Sequence, residues 1–177
     1  MPLTRYYIAA SADGFVAEAD GGVAWLERFT DDSGYGYAPF YEAVGTLIMG
    51  RATYDQVREF GDWPYDDKPA LIVTGRPVED APHAGVRAIR PDELVARVRD
   101  MRQEDEAGDI WIVGGPASTA PLLAAGLVDQ LEISVMPQLL GNGIRLFPEG
   151  GPAAPLKLLS HQAYADGVIS LTYATGA

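Results

Sequence analysis

The sequence predicts an α/β fold with a mixed, mainly parallel sheet and an antiparallel C-terminal hairpin. Continuous apolar runs such as "LIMG", "LIVT" and "IWIV" are typical of strands that are covered on both faces. Helical patterns separate these runs up to about Gly126, whereas strand patterns follow one another beyond it. The 177 residues, 47% of them hydrophobic, can bury one sizeable core, so we expect a single domain over residues 1–177.

The elements of the first third begin with a strand over Tyr6–Ser11, followed by the turn signal Asp13-Gly14. Residues 20–36 are rich in glycine and aspartate and predict a loop or a short irregular helix. A helix that Pro39 opens then leads to Val44 and into a strand over Thr46–Met49.

The middle third predicts a helix over residues 52–61, a strand over residues 70–74 and a short strand over residues 85–89. The segment "PDELVARVRDM", which starts at Pro91, gives the clearest helical pattern. Its first turn is acidic, and an apolar stripe follows at helical spacing.

The last third predicts a strand over Ile110–Val113 and a helix from about Ser118 to Ala125, which ends at Gly126. Pro121 then falls in the first turn, where no backbone N–H bond is lost. Strand patterns continue through "DQLEISVMP", "GNGIRLF" and the final segment, in which Asp166-Gly167 is a hairpin signal.

Composition excludes several classes of function. The chain has no cysteine and only two histidines, so we expect no metal site. Its formal net charge of −12 opposes binding to nucleic acid, which requires clustered cations. It contains neither a membrane-length apolar run nor a secretory signal, and we expect a cytoplasmic protein.

Three apolar runs end on glycine, at Gly50-Arg51, Gly75-Arg76 and Gly114-Gly115. The carboxyl ends of parallel strands lie at one edge of a sheet, where ligands of open α/β folds bind. Glycine allows close approach of the backbone, and a following helix N-terminus offers free N–H groups to an anion. Each site alone is explained better by a simple turn with a surface arginine, but their coincidence favours a phosphate-bearing ligand. Neither the GxGxxG nor the P-loop motif is present.

The segments "IAASADGFVA", "GRATYDQV", "IWIVGG" and "LVDQLEISVMPQLLGNGIRLFP" resemble, in this order, the dihydrofolate reductase-like superfamily. The similarity is closest to the reductase domain of bacterial riboflavin biosynthesis, the RibD C-terminal domain. This resemblance implies a three-layer fold, a reduced nicotinamide cofactor, usually NADPH, and a homodimer.

The resemblance also implies the cofactor-binding residues. Ala9 and Ala10 would lie against the nicotinamide, and Gly50, Arg51 and Thr53 near the phosphates. The adenosine 2′-phosphate would lie near Thr74, Gly75 and Arg76. The turn and helix that would receive the pyrophosphate contain Val113, Gly114, Gly115, Ala117, Ser118 and Thr119.

The substrate region departs from the family pattern. Dihydrofolate reductases carry an acidic residue on the first helix, and none of Asp31, Asp32 and Glu42 fits that register. The bifunctional riboflavin enzymes add a zinc deaminase domain with cysteines, which this sequence lacks. Asp13 is the candidate catalytic residue, although a turn residue is an equal alternative.

Three aromatic residues, Trp25, Tyr41 and Tyr54, are candidates for stacking on a flat substrate, although aromatic residues more often belong to the core. Tyr54 is favoured among them, because its segment follows the Gly50-Arg51 turn.

The predicted function is therefore NADPH-dependent reduction of a small pterin, pyrimidine or similar heterocycle. The alternatives are a broad-specificity reductase of flavins or quinone-like compounds and an NADP-binding regulatory protein without turnover.

Overall fold

The computed structural model describes residues 1–66, 68–104 and 108–176. Their helices and strands, in chain order, are β1 (Thr4–Ser11), β2 (Phe15–Ala17), α1 (Tyr37–Ala43), β3 (Val44–Gly50), α2 (Arg51–Glu59), β4 (Ala70–Val73), β5 (Val86–Ile89), α3 (Leu94–Met101), β6 (Asp109–Val113), α4 (Pro116–Ala124), β7 (Gln130–Met136), β8 (Ile144–Arg145), β9 (Leu156–Ala163) and β10 (Ile169–Thr175).

Eight of these strands form one sheet in the order β5-β4-β3-β6-β1-β7-β10-β9. The pairs from β5 to β7 are parallel, whereas β10 is antiparallel to both β7 and β9. The β9–β10 turn is closed by the N–H of Gly167, which donates to the carbonyl of Tyr164 at 3.0 Å. The predicted fold class, a mainly parallel sheet with an antiparallel C-terminal hairpin, is confirmed.

Side chains from the central strands enter two separate cores, one on each face of the sheet. Ile48 of β3 packs into one core, while its neighbours Leu47 and Met49 pack into the other. In β6, Ile112 and Trp111 divide in the same way. Because both faces are covered, these strands have continuous apolar sequences rather than an alternating pattern.

Two details differ from the sequence expectations. Helix α4 begins at Pro116, so Pro121 is its sixth residue and not part of a first turn. The predicted placement of Pro121 was wrong, and the helix lacks the bond that a residue here would donate to the carbonyl of Ala117. In addition, β2 pairs with β8 in a separate two-stranded sheet, and the sequence did not predict β2.

Among the described residues, no helix has both the length and the apolar composition needed to cross a bilayer.

Candidate functional site

A cleft of about 850 Å³ lies at the carboxyl edge of the sheet. Its walls come from the ends of β1, β3 and β6, from the first turns of α2 and α4, and from the β2–β8 pair. The predicted cofactor residues that line it are Ala9, Gly50, Arg51, Thr53, Val113, Gly114, Gly115, Ala117 and Ser118.

Two helices begin at this cleft, and each has a glycine at its N-cap position, which leaves the helix N-terminus without a capping side chain. Gly50 precedes α2 and Gly115 precedes α4, and neither helix has a side-chain cap or an acidic residue in its first turn. The first backbone N–H groups of a helix have no partner within the helix, and its dipole makes this end partly positive. The two N-termini therefore offer hydrogen-bond donors to an anion in the cleft.

The adjacent glycines of the β6–α4 turn have different surroundings. Gly114 has a φ of +89°, and a Cβ atom built there would clash with Oγ1 of Thr53. Gly115 has an ordinary φ of −77°, and a Cβ atom there would make only a normal contact with Ile144, at 3.8 Å. The fold thus requires glycine at position 114, whereas glycine at position 115 keeps the cleft open.

The two predicted phosphate-binding arginines are held differently. Nε of Arg51 lies 2.7 Å from the Asp55 carboxylate, and its Nη1 donates to the carbonyl of Pro77 at 3.1 Å. Arg76 is exposed just beyond β4, and its guanidinium makes no hydrogen bond or ion pair with the described residues. Arg51 therefore joins α2 to the segment after β4, while Arg76 is available to a ligand.

The other predicted cofactor residues do not line the cleft. Ala10 and Thr119 are buried in the interior, and the Thr119 hydroxyl makes no hydrogen bond with the described residues. Thr74 is also buried, and its hydroxyl accepts the N–H of Arg76 at 3.0 Å. Thr74, Gly75 and Arg76 lie at the end of β4, outside the cleft wall.

Asp13, the candidate catalytic residue, lies outside the cleft wall and forms an anchor. Its carboxylate accepts the Ser11 hydroxyl at 2.6 Å and the N–H groups of Leu140 and Gly141 at 3.1 and 2.7 Å. These hydrogen bonds, above all the one from Ser11, lower the pKa of Asp13 to about 2. Asp13 is thus ionised at neutral pH and joins the β1–β2 turn to the segment after β7, and its catalytic role stays a prediction.

Residues 15–26, which we call the covering loop, contribute a further wall of the cleft. Val16, Val23 and Leu26 contribute apolar side chains to the cleft. The loop is fixed to α2 by Gln56, whose amide donates to the carbonyl of Gly21 at 2.8 Å. Sequence reasoning did not identify this wall, because a three-residue strand gives too short a pattern.

The floor of the cleft includes two aromatic residues that the sequence analysis missed. Tyr7 of β1 and Trp111 of β6 both line the cleft, and the indole N–H of Trp111 donates to the carbonyl of Tyr7 at 3.2 Å. Phe40 of α1 stacks on Tyr7, with 4.3 Å between ring centroids. The only available signal was two aromatic residues inside predicted strands, which is also the usual signature of a core.

None of the three predicted substrate aromatics lines the cleft. Tyr54 is buried on the inner side of α2, against Trp63. Tyr41 stacks on Tyr37 with 5.4 Å between ring centroids. Trp25 lies in the covering loop, and its indole N–H is buried without an acceptor among the described residues. Their roles toward a substrate stay predictions.

The chain is similar to known proteins in sequence and in structure. The family described as the RibD C-terminal domain matches residues 2–170. A curated relative, the uncharacterised protein YwjB of Bacillus subtilis (strain 168), is 35% identical over 167 residues, which cover 93% of this chain and 94% of the relative.

Solved structures share the architecture. A putative riboflavin biosynthesis protein from Shewanella sp. PV-4 superposes with a TM-score of 0.87 at 27% identity, over 99% of both chains. Dihydrofolate reductase from Enterococcus faecalis, complexed with NADP(H), superposes with a TM-score of 0.65 at 16% identity, over 99% of this chain and 97% of that one. The predicted dihydrofolate reductase-like fold is confirmed.

Proposed function

Because the chain belongs to the RibD C-terminal domain family, we propose that it is an NADPH-dependent reductase of a small heterocyclic substrate. The observation that carries this proposal is the pair of uncapped helix N-termini, α2 and α4, that open into one cleft. A dinucleotide has a pyrophosphate at its centre, and such a pair of N-termini suits that group.

The residues of the cleft fit this cofactor in size and in chemistry. A volume of about 850 Å³ lies within the range of roughly 300–1,000 Å³ that is common for ligand sites. The N–H groups of Ala117 and Ser118 would hold the pyrophosphate, and the free guanidinium of Arg76 would hold the 2′-phosphate. Ala9, at the end of β1, would place the nicotinamide, which supplies the hydride.

The protein's own contribution to the reaction is orientation and exclusion of water. Val16, Val23 and Leu26 contribute apolar side chains to one wall of the cleft, and Tyr7 and Trp111 offer rings against which a flat substrate can lie. Asp13 is ionised at neutral pH, so it has no proton to donate there. We propose that solvent supplies the proton that follows hydride transfer.

A binding protein without turnover is the second candidate. Helix α1 has one acidic residue, Glu42, and its side chain is exposed rather than part of the cleft. The helix thus lacks the inward carboxylate that dihydrofolate reductases use, which favours an NADP-binding regulatory protein. The flat aromatic floor is also compatible with a reductase of flavins or quinone-like compounds.

Two measurements distinguish the heterocycle reductase from the flavin or quinone reductase and from the NADP-binding regulatory protein. Calorimetry with NADPH and NADH tests the cofactor, and we expect NADPH to bind more tightly. Oxidation of NADPH is then followed with a panel of pyrimidines, dihydropterins, flavins and quinones. Turnover of a pyrimidine or pterin supports the leading proposal, turnover restricted to flavins or quinones supports the broader reductase, and tight binding without turnover supports the regulatory protein.

We also propose a homodimer that pairs through the outer strand of the sheet. Strand β9 is exposed along its whole length, and Leu156, Leu158 and Leu159 are 43–49% exposed. An apolar edge strand of this kind is prone to pairing with another chain. Light scattering should show a dimer at micromolar concentration, and Leu158→Lys should shift it toward monomer. A wild-type protein that stays monomeric over that range would refute the dimer.

A further inference from the structure

Charged residues of both signs lie around the cleft. Arginines follow three neighbouring strands, with Arg51 after β3, Arg76 after β4 and Arg90 after β5. Three carboxylates line the cleft. Asp55 is paired with Arg51, and the other two are Asp20 on the covering loop and Glu59 in the last turn of α2. The proposed function places the phosphates of the cofactor at these strand ends. Arg51 is paired there with Asp55 and Arg90 with Asp92, whereas the Arg76 guanidinium has no partner among the described residues.

Asp20 and Glu59 both lie beside the later turns of α2. Glu59 is six residues beyond Thr53, which corresponds to about 9 Å along an α-helix. Between them, the hydrogen bond from Gln56 to Gly21 draws the covering loop, and with it Asp20, against the same helix. Asp20 and Glu59 are therefore held away from the uncapped N-terminus of α2.

Neither carboxylate is neutralised by the described residues. Among the described residues, Asp20 accepts the N–H of Gly22 at 2.8 Å but has no cationic partner, and Glu59 makes no ion pair. Among the described residues of the cleft wall, Arg51 is the one cation, and it is already paired with Asp55.

Two cations beside the aromatic residues of α1, Arg5 and Lys68, are also bound by other groups of the protein. Arg5 is bound by Glu132 at 2.6 Å and by Asp109 at 3.1 Å. The Lys68 ammonium donates to the carbonyl of Val44 and lies 4.6 Å from the centre of the Tyr41 ring. A second anion beside the cofactor would thus meet carboxylates and, among the described residues of the cleft wall, would find no unpaired cation.

We propose that the substrate carries no phosphate or carboxylate, and that Asp20 and Glu59 select against compounds that do. The preferred substrate is a neutral, flat heterocycle or carbonyl compound that lies against Tyr7 and Trp111. This inference rests on the proposed function and specifies its substrate class. Like charges placed close together in a binding site disfavour the wrong ligand strongly.

A matched pair of substrates tests the inference. The probes are a ribosylaminouracil and the same compound bearing a 5′-phosphate, offered to the NADPH complex. We expect kcat/KM to be at least about tenfold higher for the unphosphorylated compound. Added salt should narrow this ratio, because mobile ions screen charges that are open to solvent. Calorimetry of both probes with the NADP⁺ complex measures the same preference without turnover.

Single substitutions test whether Asp20 and Glu59 cause the preference for the unphosphorylated probe. Glu59→Gln and Asp20→Asn should each narrow the ratio by improving activity on the phosphorylated probe. Glu42→Gln, exposed on α1 and outside the cleft wall, removes the same charge and should leave the ratio unchanged. An equal response to Glu42→Gln would show an effect of net charge and overturn the assignment to Asp20 and Glu59.

The two proposals fail in different ways. Normal NADPH binding with equal or better use of the phosphorylated probe would overturn the substrate inference and leave the reductase proposal standing. Absence of NADPH binding would overturn the proposed function itself, and the substrate inference with it.

Discussion

The β3–α2 and β6–α4 turns present the same backbone feature with different side chains. Each ends a parallel strand and starts a helix at a glycine cap without a side-chain cap. At the β3–α2 turn, Arg51 is the first residue of the helix, and its guanidinium donates hydrogen bonds to Asp55 and Pro77. The β6–α4 turn presents only Gly114 and Gly115 before α4 begins at Pro116. One turn can therefore discriminate between ligands through a side chain, whereas the other binds through its backbone.

The two glycines of the β6–α4 turn also differ from each other. Gly114 adopts a left-handed conformation against Thr53, while Gly115 has an ordinary conformation beside open space. Two identical residues in sequence thus have different functions, one in folding and one in keeping the cleft accessible. Substitutions at these positions should separate the two effects.

The largest expected effect is on stability, from Gly114→Ala. A left-handed conformation costs a non-glycine residue roughly 1–2 kcal/mol, and the clash with Thr53 adds about 1–3 kcal/mol. Urea unfolding should show this loss. The control is Gly126→Ala, at φ +65° with no atom near the added methyl group. This variant should lose only the stability that the left-handed conformation costs. Equal losses in the two variants would contradict the packing role of Thr53.

Gly115→Val should remove cofactor binding and leave the fold intact. The side chain would displace the pyrophosphate from the N–H groups of α4, and each charged hydrogen bond lost costs about 1.5–3 kcal/mol. Circular dichroism checks the fold and calorimetry measures NADPH affinity. Native dichroism with unchanged affinity would show that this turn does not bind the pyrophosphate.

Arg76→Ala should reduce NADPH affinity by about 1.5–3 kcal/mol and leave NADH affinity nearly unchanged. Arg51→Ala should also weaken NADPH more than NADH, with an additional loss for both cofactors because its bonds to Asp55 and Pro77 are broken. Arg58→Ala, exposed on α2 and outside the cleft wall, is the matched control for charge. Equal affinity of the wild type for NADPH and NADH would contradict the assignment of both arginines.

The smallest effect is expected from Asp13→Asn. The folded-state pKa of about 2 lies below the ordinary 3.8, so the carboxylate stabilises the fold above about pH 4, and this contribution disappears as the pH falls to about 2. Unfolding curves measured between about pH 4 and pH 2 should show that the stability of the variant falls less with acidification than that of the wild type. Its rate of NADPH oxidation should fall only slightly, and a collapse at neutral pH would instead support direct participation in catalysis.

The same assay with dihydrofolate extends this prediction to the substrate. Dihydrofolate carries carboxylates and α1 offers no inward acid, so turnover should be weak in the wild type. Efficient reduction that the Asp13 change does not affect would overturn both the substrate choice and any role for Asp13.

The sequence predicted those features that depend on neighbouring residues. Continuous apolar runs gave the central strands, and glycines after them gave the edge where the cleft lies. Features that depend on distant pairing were not accessible in this way. Strand β2 exists because it meets β8, and Asp13 anchors a segment 128 residues away. Likewise, Tyr7 and Trp111 line the cleft only because β1 and β6 are adjacent.

The position of β1 also bears on how the chain folds. Strand β1 lies between β6 and β7. The N–H groups of Leu3, just before the strand, and of Thr4, its first residue, donate to the side chains of Asp109 and Asp129, which are 106 and 125 residues further along. Closing such long loops is entropically costly and slows folding relative to a chain of local contacts. During synthesis β1 must therefore wait, with both edges unpaired, until most of the chain has left the ribosome. The cleft, to which β1 contributes Ala9 and Tyr7, is complete only after that late step.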